Sequence, residues 1–130
     1  MKQTFGLRLK TTRYAVAQLE PTSEFAPLPD WIGGDFFSVT RTPNEISVIC
    51  AEDSVPDGLR SQGGWRCLEV VGPFDFDHVG VLSALSDTLA RAGVSLLALA
   101  TYETDYLLVQ QSRLATALAA LRAAGHRIAE

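Results

Sequence analysis

The feature that most constrains this chain is the rhythm of residues 64–130, where apolar spacing alternates between the two-residue step of a strand and the three-to-four-residue step of a helix. Trp65 to Val71 is a β-rich run that stops at Gly72-Pro73, and Leu82, Leu85, Leu89 and Ala92 then recur at helical spacing within Val79 to Ala92. Asp75 or Asp77 is placed to cap that helix and Gly93 to end it. Val94 to Thr101 reads as a continuous apolar strand, Tyr102 to Asp105 as a turn, and Tyr106 to Gln110 as the returning strand. Ser112 is placed to cap a second helix whose Leu114, Ala117, Leu118 and Leu121 form an inward stripe; Gly125 closes it and His126 to Ala129 supplies a last short strand. The order βαββαβ is the ferredoxin-like unit of an α+β protein.

The first half is less regular. Phe5, Leu7 and Leu9 alternate with Gly6, Arg8 and Lys10, and Tyr14 to Leu19 follows a short polar stretch, which predicts a hairpin. A link containing Pro21, Pro27 and Pro29 leads to Trp31-Ile32-Gly33-Gly34. Phe36 to Thr40 and Glu45 to Cys50 then flank Thr42-Pro43-Asn44 as a second hairpin, and a short helix is expected over Asp53 to Arg60. The division expected is 1–62, a degenerate copy of the second half with a hairpin and loop in place of a crossover helix, and 63–130.

Composition removes several function classes. The chain has 130 residues, enough for one compact globule or two small subdomains, and 47% of them are hydrophobic, an ordinary globular proportion. Eleven basic residues face fifteen acidic ones for a net charge of −4, and no lysine or arginine cluster could neutralise a run of phosphates, so no nucleic-acid partner is expected. Met1 to Lys10 lacks the apolar stretch of a secretion signal and no segment has the length of a membrane span, so a cytoplasmic location without membrane contact is expected. Cys50 and Cys67 lack zinc-site spacing or disulfide density and read as buried thiols. No cofactor and no metal site is expected: Asp75, Asp77 and His78 have no familiar ligand spacing. His78 lies near two aspartates, but no nucleophile with a partner base stands out, so a capping or surface histidine and a non-enzymatic chain are expected.

The βαββαβ path carries the first strand and the helix start to the same sheet edge as the turn between the second and third strands. There the loop Gly72 to Val79 offers backbone N–H groups with the partial positive charge of a helix start, suited to a carboxylate. The turn offers Glu103 and Asp105, with the hydroxyls of Thr101 and Tyr102, suited to an ammonium or guanidinium group. A free amino acid carries both charges. Helix capping by Asp75 and Asp77, and a solvated turn for Glu103 and Asp105, explain the same residues equally well. The strand Val94 to Thr101 falls at a sheet edge, where an apolar strand invites pairing, and the symmetrical solution is a homodimer. Trp31 and Trp65 are expected in the core, and Gly33-Gly34 and Gly63-Gly64 in surface turns.

The stretch Gly72-Pro73-Phe74-Asp75-Phe76-Asp77-His78-Val79-Gly80-Val81-Leu82, followed by Ala92-Gly93-Val94-Ser95 and Thr101-Tyr102-Glu103-Thr104-Asp105-Tyr106-Leu107-Leu108-Val109, resembles the ACT domain. Within that group the chain looks like the small bacterial proteins with tandem ACT-like domains, related to the regulatory part of aspartate kinase and to cytosolic arginine sensors. Thr40 to Val48 and Gly63 to Arg66 extend the resemblance through the first half. It implies a regulatory or sensor module that pairs edge to edge and binds an amino acid or similar metabolite. The implied ligand positions are Asp75, Phe76, Asp77, His78, Val79 and Gly80 on the loop, and Thr101, Tyr102, Glu103 and Asp105 opposite. The arginine sensors carry an acidic residue where this chain has His78, a departure that weighs against arginine itself. With no kinase domain in the chain, any output would pass through another protein or a change in assembly; a purely structural dimerisation module is the competing expectation.

Overall fold

The structure, a computed structural model, describes residues 3–21, 27–71 and 79–130. Its strands are β1 (Gly6–Leu19), β2 (Ser38–Arg41), β3 (Ile46–Ala51), β4 (Ser61–Val70), β5 (Leu97–Ala100), β6 (Asp105–Gln110) and β7 (Arg127–Ala129), and its helices are α1 (Val81–Arg91) and α2 (Leu114–Ala123). Contacts group the chain into two units, Met1–Thr11 with Trp65–Glu130, and Thr12–Gly64.

In the first unit β4, α1, β5, β6, α2 and β7 follow one another in the expected βαββαβ order. Strand β6 pairs antiparallel with β4 on one side and with β5 on the other, leaving β5 at the edge. One strand is added to the expected set: β1 lies beside β4, with the Val71 N–H donating to the Gly6 carbonyl at 2.9 Å, and β7 pairs parallel with β1 through Gly6 and Arg127. The added strand earns its position by burial. Phe5, Leu7 and Leu9 share one apolar cluster with Leu68 and Val70 of β4, Leu107 and Val109 of β6, Leu85 and Leu89 of α1, and Leu118 and Leu121 of α2. Alternate residues of three strands thus meet the apolar stripes of both helices, the two periodicities locking together.

Both helices end as their glycines predict. Gly93 (φ 74°) and Gly125 (φ 99°) take the left-handed conformation. The N–H groups two residues past each final helical turn then reach back, Val94 to the Leu89 carbonyl at 2.9 Å and His126 to the Leu121 carbonyl at 3.1 Å. The helix starts differ from expectation. At α1 the capping position is Gly80 (φ 89°), which supplies no side-chain cap; Asp75 and Asp77 lie outside the described residues. At α2 Ser112 sits in a single 3₁₀ turn, Gln111–Arg113, and Arg113 precedes the helix without a side-chain cap. The 3₁₀ bonding of that turn satisfies part of what a cap would otherwise satisfy. Strand β5 is also shorter than the apolar run Val94 to Thr101: Val94 is drawn into the helix-ending hydrogen bond and the core, so pairing begins only at Leu97.

In the second unit residues 14–19 of β1 pair antiparallel with β3, from Tyr14 opposite Ala51 to Leu19 opposite Ile46, and β2 pairs with β3. The β2–β3 hairpin turns as expected at Thr42-Pro43-Asn44. The Thr42 hydroxyl accepts the N–H groups of Asn44 and Glu45, both at 3.2 Å, while the Thr42 N–H donates to the Glu45 carbonyl at 2.9 Å. Ile46, Val48 and Cys50 form its core, with Trp31, Ile32 and Val39 packed against them.

Three expectations for this half are corrected. Phe5 to Leu19 does not fold into a hairpin; Gly6–Leu19 is one continuous 14-residue strand. Lys10-Thr11-Thr12-Arg13 contains no turn-forming residue, and buried Leu7, Leu9, Ala15 and Ala17 all keep one odd-numbered phase across it. Asp53 to Arg60 is not an α-helix but a three-residue 3₁₀ turn, Glu52–Ser54, because Pro56 and Gly58 interrupt any longer helix. Gly63-Gly64 is not a surface turn but part of β4. The Glu52 carboxylate fills the space that a Cβ on Gly63 would need, and it accepts the Gly64 N–H at 2.7 Å. Cys50 and Cys67 are free and buried, and Trp65 is buried, as their sequence contexts suggest. Among the described residues no helix is long and apolar enough to cross a membrane.

Candidate functional site

The turn between β5 and β6 is built by two threonines. The Thr101 N–H donates to the Thr104 carbonyl at 2.8 Å. The Thr101 hydroxyl donates to the same carbonyl at 3.2 Å and accepts the Thr104 N–H at 3.3 Å. A side chain standing in for a backbone partner closes the bend without glycine. Thr104, a residue only 8% exposed, then ties this bend to the rest of the sheet: its hydroxyl donates to the Val70 carbonyl at 2.6 Å. Val70 is the last residue of β4, so the bond holds the bend against the end of that strand.

On this frame Thr101, Tyr102 and Glu103 are exposed and Asp105 is half-buried, opening β6 opposite Ala100. Of the loop positions, Asp75, Phe76, Asp77 and His78 lie outside the described residues. Val79 is 82% exposed and Gly80 occupies the capping position, its carbonyl accepting the Ala84 N–H at 2.9 Å. No acidic side chain stands in the first turn of α1. Val71, Leu82 and Tyr102 are also exposed large apolar residues.

The Tyr106 phenol is held above its ordinary range, first by burial and then by the charges of Glu69, Cys67 and Glu103. Glu69 lies 3.7 Å from Arg8 and 4.0 Å from Lys10. Burial pushes the Cys67 thiol up to about 12, with Lys10 opposing and Glu69 adding. Neither cysteine is therefore a thiolate at neutral pH, since burial raises Cys50 as well. Among the described residues no three histidine, cysteine, aspartate or glutamate side chains gather to hold a metal ion.

Thr104 was not among the residues expected in the site. Its role depends on a bond to Val70, 34 residues away, and a threonine in a turn carries no mark of such a partner. His126 shows the same limit: it is expected simply to open the last strand, yet its ring is buried and its Nδ1 accepts the Phe5 N–H at 3.0 Å.

Compared with known families, residues 60–123 match the model described as the ACT domain, and residues 12–58 match one described as an N-terminal domain. No curated protein sequence matches the chain. Among solved structures, a protein from Agrobacterium tumefaciens is 31% identical and superposes with a TM-score of 0.88 over 98% of this chain and 94% of its own. The regulatory subunit of aspartate kinase from Thermus flavus is 12% identical, with a TM-score of 0.66 over 95% of this chain and 99% of its own. Aspartate kinase from Clostridium acetobutylicum is 13% identical, with a TM-score of 0.69 over 93% of this chain and 34% of its own. The two kinase likenesses are likenesses of fold. Domain match, strand order and full-length relative agree, and the chain belongs to the ACT-like domain proteins.

Proposed function

We propose that this protein is a non-catalytic regulatory module that binds a free amino acid or similar small zwitterion between the loop 72–80 and the bend 101–105. The observation that carries the reading is the 2.6 Å bond from Thr104 to the Val70 carbonyl, which keeps the acidic bend beside the strand end that leads into the loop. Glu103 and Asp105 would receive the ligand's ammonium group, and the N–H groups opening α1 its carboxylate. Fold likeness to the aspartate kinase regulatory subunit supports a regulatory role. Asp75, Phe76, Asp77, His78, Val79 and Gly80 on one side, and Thr101 and Tyr102 on the other, complete the proposed set. A cytoplasmic location and an unidentified protein partner that receives the signal belong to the same proposal. So does the division at residues 62 and 63, with residues 1–62 as a reduced ACT-like half.

The test is thermal unfolding against a panel of free amino acids. A ligand at 100 times its dissociation constant should add about 2.7 kcal/mol of stability, and Asp105→Ala should remove that gain. A flat response to the whole panel would reject the reading.

A second reading, a dimerisation module without ligand, is favoured by one observation: β5 lies at the sheet edge, with Ala98 and Ala100 exposed. Either reading pairs two copies along β5. Sedimentation of Leu97→Glu at fixed protein concentration tests the pairing, and loss of the dimer with no ligand response in the parent protein selects the second reading.

A further inference from the structure

We propose that His126 is a proton-operated latch: a proton taken up at its Nδ1 releases residues 3–5 from the approach to β7 while the rest of the sheet stays paired. The bonds that make the latch join the two ends of the chain. The Phe5 N–H donates to His126 Nδ1 at 3.0 Å, and the Arg127 N–H donates back to the Phe5 carbonyl at 3.1 Å. Both backbone groups of Phe5 thus depend on two consecutive residues at the far end of the sequence. The rings of Phe5 and His126 stack over the same joint, with centroids 5.7 Å apart and planes 12° from parallel.

The latch turns on one lone pair. With Nδ1 accepting the Phe5 N–H, the neutral ring carries its single proton on Nε2. A second proton has only Nδ1 to enter, so it competes directly with the Phe5 N–H. The hydrogen bond and the charged ring exclude each other. Among the described residues no free carboxylate stands by to offset the charge. From α1, Asp87 lines the same cleft as His126 but pairs with Arg91 at 2.9 Å. From α2 that cleft is lined by Ala120, Ala123 and Ala124, and from the amino-terminal segment by Gln3. Beyond β7, Glu130 pairs with Arg122 at 2.9 Å, and Arg127, next to His126, is itself a cation. His126 as a residue is 5% exposed, and its burial already lowers the affinity of the ring for a second proton. The charged ring is therefore stabilised only by moving into water, and the clasp opens with it.

The opening is local because the clasp joins terminal segments. Among the described residues β7 pairs with β1 alone, from Gly6 opposite Arg127 to Arg8 opposite Ala129. From Gly6 onward β1 is held by β4 as well: the Val71 N–H donates to the Gly6 carbonyl at 2.9 Å, and Leu7 and Leu9 are buried. Short terminal segments open at far lower free energy than central strands. Release uncovers Phe5, a residue 6% exposed in the closed state, so acidification presents an aromatic side chain at the surface. The latch is independent of the loop-and-bend site, and either can fail without the other.

Amide hydrogen exchange of the whole protein tests this, followed by NMR from above pH 6.5 to below it and corrected for intrinsic rates, with the histidine ring nitrogens read in the same samples. As His126 takes up its second proton, protection at the Phe5 and Arg127 amides should fall by up to about tenfold per pH unit, while the amides of β4 and β6 keep theirs. His126→Asn leaves an acceptor for the Phe5 N–H but no titrating group, and should hold the Phe5 amide protected across the range; His126→Gln is the second variant if the first does not fold. Four results would each overturn the proposal: an equal loss of protection in β4 and β6, a Phe5 amide still protected once the ring is charged, a ring still neutral when the whole sheet unfolds, or an undiminished pH response in either folded variant.

Discussion

His126 and Phe5 are joined twice, by a hydrogen bond from the Phe5 backbone N–H to the imidazole Nδ1 at 3.0 Å and by stacking of their rings. This contact fastens the residue just before β1 to the residue just before β7, across a separation of 121 positions. Burial lowers the affinity of the ring for a second proton, and its pKa lies below the usual 6.5. In the unfolded chain His126 takes up a proton as pH falls through that usual value, while the folded state resists. Stability is therefore full above about 6.5 and declines as pH falls toward the lower folded value, at no more than about 1.4 kcal/mol per pH unit from this one group. His126→Asn, which keeps an acceptor near Nδ1, should flatten that part of the profile, as read from urea midpoints measured across the window.

Thr104 should be costly to replace by valine. The substitution keeps the shape but leaves the Val70 carbonyl without its 2.6 Å donor, a loss of about 1–3 kcal/mol. Thr104→Ser restores the hydroxyl and should recover most of it. Chemical denaturation of the two variants checks the order.

Gly125→Ala should destabilise more than Gly93→Ala. Both positions have left-handed backbone, which costs a residue with a Cβ about 1–2 kcal/mol. A Cβ on Gly125 would also press on Thr4 Cγ2 at 3.0 Å, whereas one on Gly93 meets only the end of Arg113 at 3.7 Å. Melting temperatures of the two single variants decide it.

Neither thiol should react in the native state. With Cys67 pushed up to about 12 by burial and Cys50 raised for the same cause, iodoacetamide at mildly alkaline pH should modify the folded protein only at its global unfolding rate. In urea both cysteines should react at once, a contrast that mass spectrometry reads directly.

Much of the fold was legible because its signals are local. The stripe Leu114, Ala117, Leu118, Leu121, the stops at Gly93 and Gly125, and the Thr42-Pro43-Asn44 turn each depend on residues within one or two turns of chain. The site was legible only in part. Glu103 and Asp105 announce an acidic turn by composition, but its closure by Thr101 and its anchoring by Thr104 rest on hydroxyl bonds that spacing does not encode. The capping residue expected at α1 was an aspartate, and Gly80 took the position instead.

The sequence by itself determined the βαββαβ order of the second half, the faces its helices bury and where those helices end, since periodicity and glycine backbone freedom act over a few residues. Tertiary structure decided that β1 runs unbroken and lies beside β4, that Thr104 reaches Val70, and that His126 receives Phe5. Strand pairing and buried hydrogen bonds join groups distant along the chain, and they are selected only when the whole apolar face is buried at once.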